Sequence, residues 1–332
     1  MKKILFILLF ISVFVACKKQ HATSFYFWKT TYEISDFEQK YLDELNVQKL
    51  YVRFFDVDIK NNDAVPVGEI NIKEKNKQQE IIPVIFITNE VFKSLDKKEI
   101  EKLATNIKQE IQFIYPKISD KKIKEIQFDC DWTTSTKVNY FYFLEQMKKS
   151  APTIIFSATI RLHQIKDKTE TGIPPVNKGV LMYYAASNPL DFKEKNSILE
   201  NKLAENYCKD LKNYPIALDI ALPIYSWAII ENQLGEKRLL NGVRNTDLQD
   251  STIYQLLKPN FYYVKKDAYL QGNYIYEDFT IKVEEISQAQ LMRAAAFLKN
   301  KTKNKELNTI YFQLDSSNLT HYSIQDFKTI SK

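Results

Sequence analysis

Glycine is scarce, with six residues in 332, and no GxGxxG or GxxxxGKS/T run occurs. This argues against a loop whose backbone N–H groups cradle a phosphate. Histidine and cysteine are scarcer still, at three residues each, and no Cys/His pair has metal-ligand spacing. A structural zinc is therefore not expected, and neither is any other metal or cofactor. Charge of one sign does not accumulate: 47 Lys and Arg face 41 Asp and Glu, interspersed, for a net charge of +6. Without a basic stripe, nucleic acid is not an expected partner. Long hydrophobic runs are also lacking. The main one, Ile4 to Val15, is too short for a membrane-spanning helix of roughly 20 residues.

That run instead reads as export chemistry. Lys2 and Lys3 precede it, only Ser12 interrupts it, and Ala16 stands before Cys17. A positive start, a short apolar core and a small residue before the cut describe a signal peptide over residues 1–16. The Ala16-Cys17 junction resembles a lipobox, which implies a lipid on Cys17; the alternative is a cut elsewhere with Cys17 left as a free thiol. Residues 17–24 then form a lipidated polar tether, and loss of Lys2 and Lys3 lowers the net charge to +4. The expected location is the cell envelope, at an outer membrane facing the periplasm or the cell surface, as a monomer. Cys130 and Cys208, in an expected strand and an expected helix, read as two buried thiols rather than a disulfide.

The rest of the chain, 45% hydrophobic overall, can build a substantial core. Apolar, β-rich runs recur at Phe25–Thr31, Lys49–Val57, Ile81–Thr88, Lys124–Asp131, Thr153–Ile160, Gly179–Ala185, Tyr214–Leu222 and Asn308–Asp315. Amphipathic helical stretches lie between most of them, at Ser35–Val47, Asp96–Tyr115, Thr136–Ser150, Asn196–Leu211 and Ser287–Lys301. Ser35 with Glu38, and Asp96 with Glu99, have capping-box spacing. Eight strands mostly alternating with helices predict an α/β fold, a (β/α)8 TIM barrel over residues 25–332. The competing arrangement is an open doubly wound sheet. The long interval before the last strand predicts a small insertion subdomain over about 235–285, between strand seven and its helix. Within it, Asn260–Tyr269 and Tyr274–Val283 read as strands joined around Gln271-Gly272-Asn273.

Side chains alternate across a strand, so each barrel strand sends one parity inward. Ile126, Phe128, Cys130 and Trp132 are apolar and belong against the helices, which turns Gln127, Asp129, Asp131 and Thr133 inward. By the same argument Ser157, Thr159 and Arg161 point in, as does Asp219. In the last strand Ile310, Phe312 and Leu314 are expected outside, with Tyr311, Gln313 and Asp315 inside. Charges in a barrel are costly unless paired. One reading is a buried network in which Arg53 and Arg161 neutralise Asp129, Asp131 and Asp219. The other is a polar site at the C-terminal ends of the strands. Asp129 and Asp131 lie about 6.6 Å apart along one strand face. Two such carboxylates repel, which prepares an acid beside a base. Asp131 is expected to be the more perturbed, and Asp129 to stay charged. At 13% the aromatics are abundant. Trp28, Tyr184 and Trp227 fall at strand ends, where rings suit sugar faces; Trp132 is expected to pack on the helices.

The segment Phe128-Asp129-Cys130-Asp131-Trp132-Thr133 resembles the DxxDxDxE strand of family 18 glycoside hydrolases, the chitinase-like barrels. Leu181-Met182-Tyr183-Tyr184 resembles their MxYD strand, and the insertion falls where many carry a small α+β subdomain. The mature chain also resembles an uncharacterised bacterial barrel family, a domain of unknown function common on lipoproteins. The resemblance implies a barrel that acts on or binds an envelope or extracellular glycan. Two departures stand out: the family's catalytic acid falls at Thr133, and the sixth-strand Asp at Ala185. The site expected from residues and resemblance together is Asp129, Asp131 and Asp219 for chemistry. Trp28, Arg53, Arg161, Tyr184, Trp227, Gln313 and Asp315 would hold the carbohydrate, with Asp315 a further acid candidate. The alternative is a non-catalytic glycan-binding or envelope-scaffold lipoprotein.

Overall fold

The computed structural model describes residues 22–76, 78–185, 187–192, 194–302 and 307–331. The expected signal peptide, and Cys17 with its lipid, lie outside the described residues. Among those described, no helix is long and apolar enough to cross a membrane.

Eight parallel strands close into a barrel. They are β1 (Ala22–Phe27), β2 (Lys49–Lys60), β3 (Glu80–Ile87), β4 (Glu125–Asp129), β5 (Ile155–Arg161), β6 (Lys178–Met182), β7 (Leu218–Pro223) and β8 (Asn308–Phe312). Each pairs with the next in sequence, β7 with β8 across the insertion. Closure runs through β1 against β8, with Ala22 opposite Asn308 and Phe25 opposite Tyr311. The open-sheet alternative is thereby set aside.

Helices cover the outside. Asp36–Glu44 follows β1, Lys97–Ile118 follows β3 and Lys137–Ser150 follows β4. The capping boxes at Ser35/Glu38 and Asp96/Glu99 both form, each satisfying backbone N–H groups that the first helical turn leaves open. Among the described residues no helix follows β2. Its second half bends back into an antiparallel hairpin with Asp63–Val67. Several expected segments are shorter; Asn196–Leu211 reduces to the helix Asn201–Tyr207, and strand seven starts at Leu218 rather than Tyr214.

Parity holds for β4 and β5. Phe128, Phe143 and Phe156 form an outer cluster, and Trp132 is buried there with its indole N–H on the Thr171 carbonyl at 2.9 Å. Each such buried side chain contributes about 1.5–3 kcal/mol. Cys130 and Cys208 are buried and free. Parity fails for β8. Ile310 and Phe312 join the barrel interior with Tyr26, Tyr51, Val84, Val180, Met182 and Tyr184. Tyr311 faces out instead, its ring 4.7 Å from Phe327 on the C-terminal helix. All three residues are apolar enough for either side, so the helix that covers the strand decides.

The insertion starts earlier than its expected boundary. Trp227–Glu231 is already a strand of a five-stranded antiparallel sheet whose central strand is Thr280–Glu284. Ala268–Leu270 and Asn273–Ile275 form a separate hairpin around the Gln271-Gly272 turn. Both turn residues have positive φ, 47° and 74°, and glycine takes that conformation without strain.

Candidate functional site

The inward residues of β4 and β5 make a ladder up the barrel axis. At the N-terminal end Ser157 donates to Glu125 at 2.7 Å. Above it, Tyr26 donates to the Gln127 side-chain carbonyl at 2.7 Å, and Thr159 donates to Asp129 Oδ1 at 2.6 Å. At the C-terminal end Arg161 clasps Asp131 through Nε and Nη2. The two-residue step of both strands sets this order, so the polar pattern in the sequence becomes a vertical stack.

Asp129 and Asp131 sit at different depths. Asp129 is only 4% exposed, whereas the Asp131 side chain is 52% exposed. Burial pushes the Asp129 carboxyl above its ordinary pKa. Arg161 and the Thr159 hydroxyl oppose that shift, while Asp131 and Asp56 add to it. For Arg161 burial works against the charge, but Asp129 and Asp131 outweigh it and raise its pKa. The expectation that the perturbation falls on Asp131 while Asp129 stays charged is therefore corrected. Arg161 bonds the outer Asp131, and the buried Asp129 is raised.

Asp219 does not join them. It lies at the opposite end of the barrel, where Lys178 Nζ reaches Asp219 at 2.9 Å and Glu125 at 3.0 Å. Lys178 also donates to the Tyr51 hydroxyl at 3.2 Å. The expected single pocket of Asp129, Asp131, Arg161 and Asp219 is corrected to a three-residue group. Parity gives the side of the strand on which Asp219 stands, but not its height.

Arg53 stands at the mouth and is paired with a residue that alternation hides. Its Nε donates to Asp56 Oδ1 at 2.7 Å, and its Nη2 bonds the other oxygen. A register irregularity between Arg53 and Phe55 brings residues three apart onto one face. Gly68 completes the fit, since a Cβ there would stand 2.8 Å from Arg53 Nη2.

An aromatic floor joins this polar group. Phe312 is its hub, with ring centroids 5.6 Å from Trp28, 5.7 Å from Tyr26, 5.8 Å from Tyr225 and 6.0 Å from Tyr184. Trp227 extends it, 5.3 Å from Tyr225. Trp28, Tyr225, Trp227 and Phe312 remain partly exposed, and Tyr184 is buried beneath them. The Arg53 guanidinium lies 6.0 Å from the Trp28 ring centre. Asp56 and Phe312 are the site residues that sequence reasoning missed. Gln313 follows a cis Phe312–Gln313 peptide, and its Oε1 is buried without a hydrogen-bond partner. Asp315 caps the helix Ser316–Leu319, accepting from the Ser317 N–H at 2.9 Å.

Beside Asp131 opens a cleft of about 560 Å³, lined by Asp131, Thr133, Arg161, Leu162, His163, Ala185 and Tyr207. Asp131 is the only carboxylate among these lining residues. Among the described residues no group of three His, Cys, Asp or Glu is placed to hold a metal ion.

No protein-family model and no curated protein matches the chain. Solved structures do. The spore cortex-lytic enzyme SleL of Bacillus cereus superposes with a TM-score of 0.56 at 14% identity, over 93% of this chain and 73% of that one. A chitinase from Bacteroides thetaiotaomicron gives 0.53 at 11% identity, over 94% and 96%. A mutant of the Ostrinia furnacalis Group II chitinase catalytic domain 2, solved with penta-N-acetylchitooctaose (NAG)5, gives 0.55 at 10% identity, over 93% and 95%. The barrel is thus of the chitinase-like kind in fold.

Proposed function

We propose that this chain binds a glycan at the C-terminal mouth of its barrel and does not cleave it, and that a lipid on Cys17 holds it at a membrane surface of the cell envelope. The observation that carries the reading is the state of the carboxylates at the mouth. Asp131 is bonded to Arg161, Asp56 to Arg53, and Asp315 to the start of a helix. A carboxylate held by a guanidinium is already engaged by a donor within the protein and does not stand free beside a leaving group. Its remaining lone pairs still accept from sugar hydroxyls. The aromatic floor supplies the apolar faces that sugar rings cover. The fold neighbours support the same substrate class, one of them being a complex with (NAG)5.

One observation favours a second reading, hydrolysis. Asp129 is raised by burial and so holds a proton more readily than an ordinary aspartate. It is nearly inaccessible, which is why binding is the stronger reading. The test uses the mature chain and (NAG)5. Saturable binding with the oligosaccharide recovered intact supports the proposal. Shorter products that vanish in Asp129→Asn would establish hydrolysis instead.

A further inference from the structure

Trp227 begins the insertion, yet its indole belongs to the aromatic floor of the barrel. What holds it there is Glu284, at the end of the last insertion strand. The Trp227 indole N–H donates to Glu284 Oε2 at 2.8 Å. The same oxygen accepts the Ser197 N–H at 2.8 Å and the Ser197 hydroxyl. Lys282 Nζ lies 2.6 Å from the other oxygen, and both side chains are essentially sealed from solvent, at 1% and 0% exposure. Lys282 also donates to the Glu194 carbonyl at 2.6 Å. Next to Ser197, the Ile198 carbonyl accepts the Ala185 N–H at 2.8 Å, and Ala185 lines the cleft beside Asp131. One buried carboxylate therefore ties together the indole, the insertion and the segment that bonds the cleft-lining Ala185.

A charge this deeply buried is costly unless fully partnered. Packing alone would be served as well by two apolar residues. What an apolar pair would not supply is direction: a carboxylate oxygen receiving an indole N–H sets the plane of that ring. We propose that Glu284 is a positioning residue for the ligand site, fixing the Trp227 indole at the edge of the aromatic floor. This rests on the reading that Trp227 contacts a glycan. Lys282 is the counter-ion of Glu284.

The test is a cycle of variants measured with (NAG)5. Replacing both members of the buried pair, Lys282→Met with Glu284→Leu, removes the acceptor without stranding a charge. Affinity is expected to fall about tenfold, the scale of one charge-assisted hydrogen bond. The Trp227 indole N–H resonance should shift and broaden in the free protein. In a Trp227→Ala background the paired change should cost nothing more. Trp227→Phe, which keeps a ring but loses the donor, supplies a second route that leaves the buried pair intact. It should weaken binding in the natural background and have no effect in the paired variant. Equal losses with and without Trp227, or an unmoved indole resonance, overturn the positioning role alone. Unchanged affinity in Trp227→Ala overturns the glycan reading of that residue, and the inference with it.

Discussion

Arg161 holds Asp131 through both carboxylate oxygens, and the pair stands at the open end of the barrel, two strand positions above the buried Asp129–Thr159 pair. One guanidinium thus faces two carboxylates of different accessibility. It bonds the outer one and acts on the inner one through its field. This division decides what the site can do. The accessible acid is taken up by Arg161, and the perturbed one is out of reach.

Asp131→Asn should cost little stability, about 1 kcal/mol or less, because the pair it breaks is half exposed. It should weaken (NAG)5 binding, since a carboxylate acceptor and the aim of Arg161 are both lost. Denaturant unfolding beside calorimetric titration separates the two effects. A large stability loss with unchanged affinity would mean that the pair is structural.

The raised carboxyl of Asp129 makes stability depend on pH in a definite direction. Between the ordinary aspartate value and the raised one, the folded chain binds more protons than the unfolded chain. Its contribution is therefore present in full at low pH and lost as pH rises through the folded pKa. Asp129→Asn removes this dependence. The stability of the natural chain relative to that variant should increase as pH is lowered from 7 toward about 4, and the measurement is a set of urea melts across that range. A flat difference would refute the shift.

At the other end of the barrel, Lys178→Met should be severe. It leaves Glu125 and Asp219, both buried, without their shared cation, at a cost of about 3–5 kcal/mol. Asp219→Asn in turn should leave (NAG)5 affinity unchanged, because Asp219 serves this network. A change in affinity without a change in melting temperature would return Asp219 to the ligand site.

Cys17→Ser should release the protein from the membrane fraction. The motive is the charged start, the apolar run and the Ala16-Cys17 junction. Fractionation with immunoblotting checks it, and retention of the variant in the membrane would sink the anchor.

The barrel was legible because β4 and β5 alternate sharply, with Phe128 and Phe156 outside, and Asp129 and Thr159 inside. β8 was not, because Ile310, Tyr311 and Phe312 are all apolar and only the contact of Phe327 with Tyr311 settles their sides. Within the candidate site, Asp129, Asp131 and Arg161 followed from parity. The Arg53–Asp56 pair did not, because an irregular register breaks the two-residue period. Nor did the separation of Asp219, because alternation carries no information about height along the barrel axis. Glu284 was hidden for a further reason: its partners Trp227 and Ser197 are 57 and 87 residues away, and nothing local marks the contact.

The most direct test of the account is titration of the mature chain with (NAG)5, followed by mass analysis of the same sample after prolonged incubation. The account predicts saturable binding that is lost in a Phe312→Ala variant that still folds, with the oligosaccharide recovered at its original length. Absence of binding, binding indifferent to Phe312, or the appearance of shorter oligomers would contradict it.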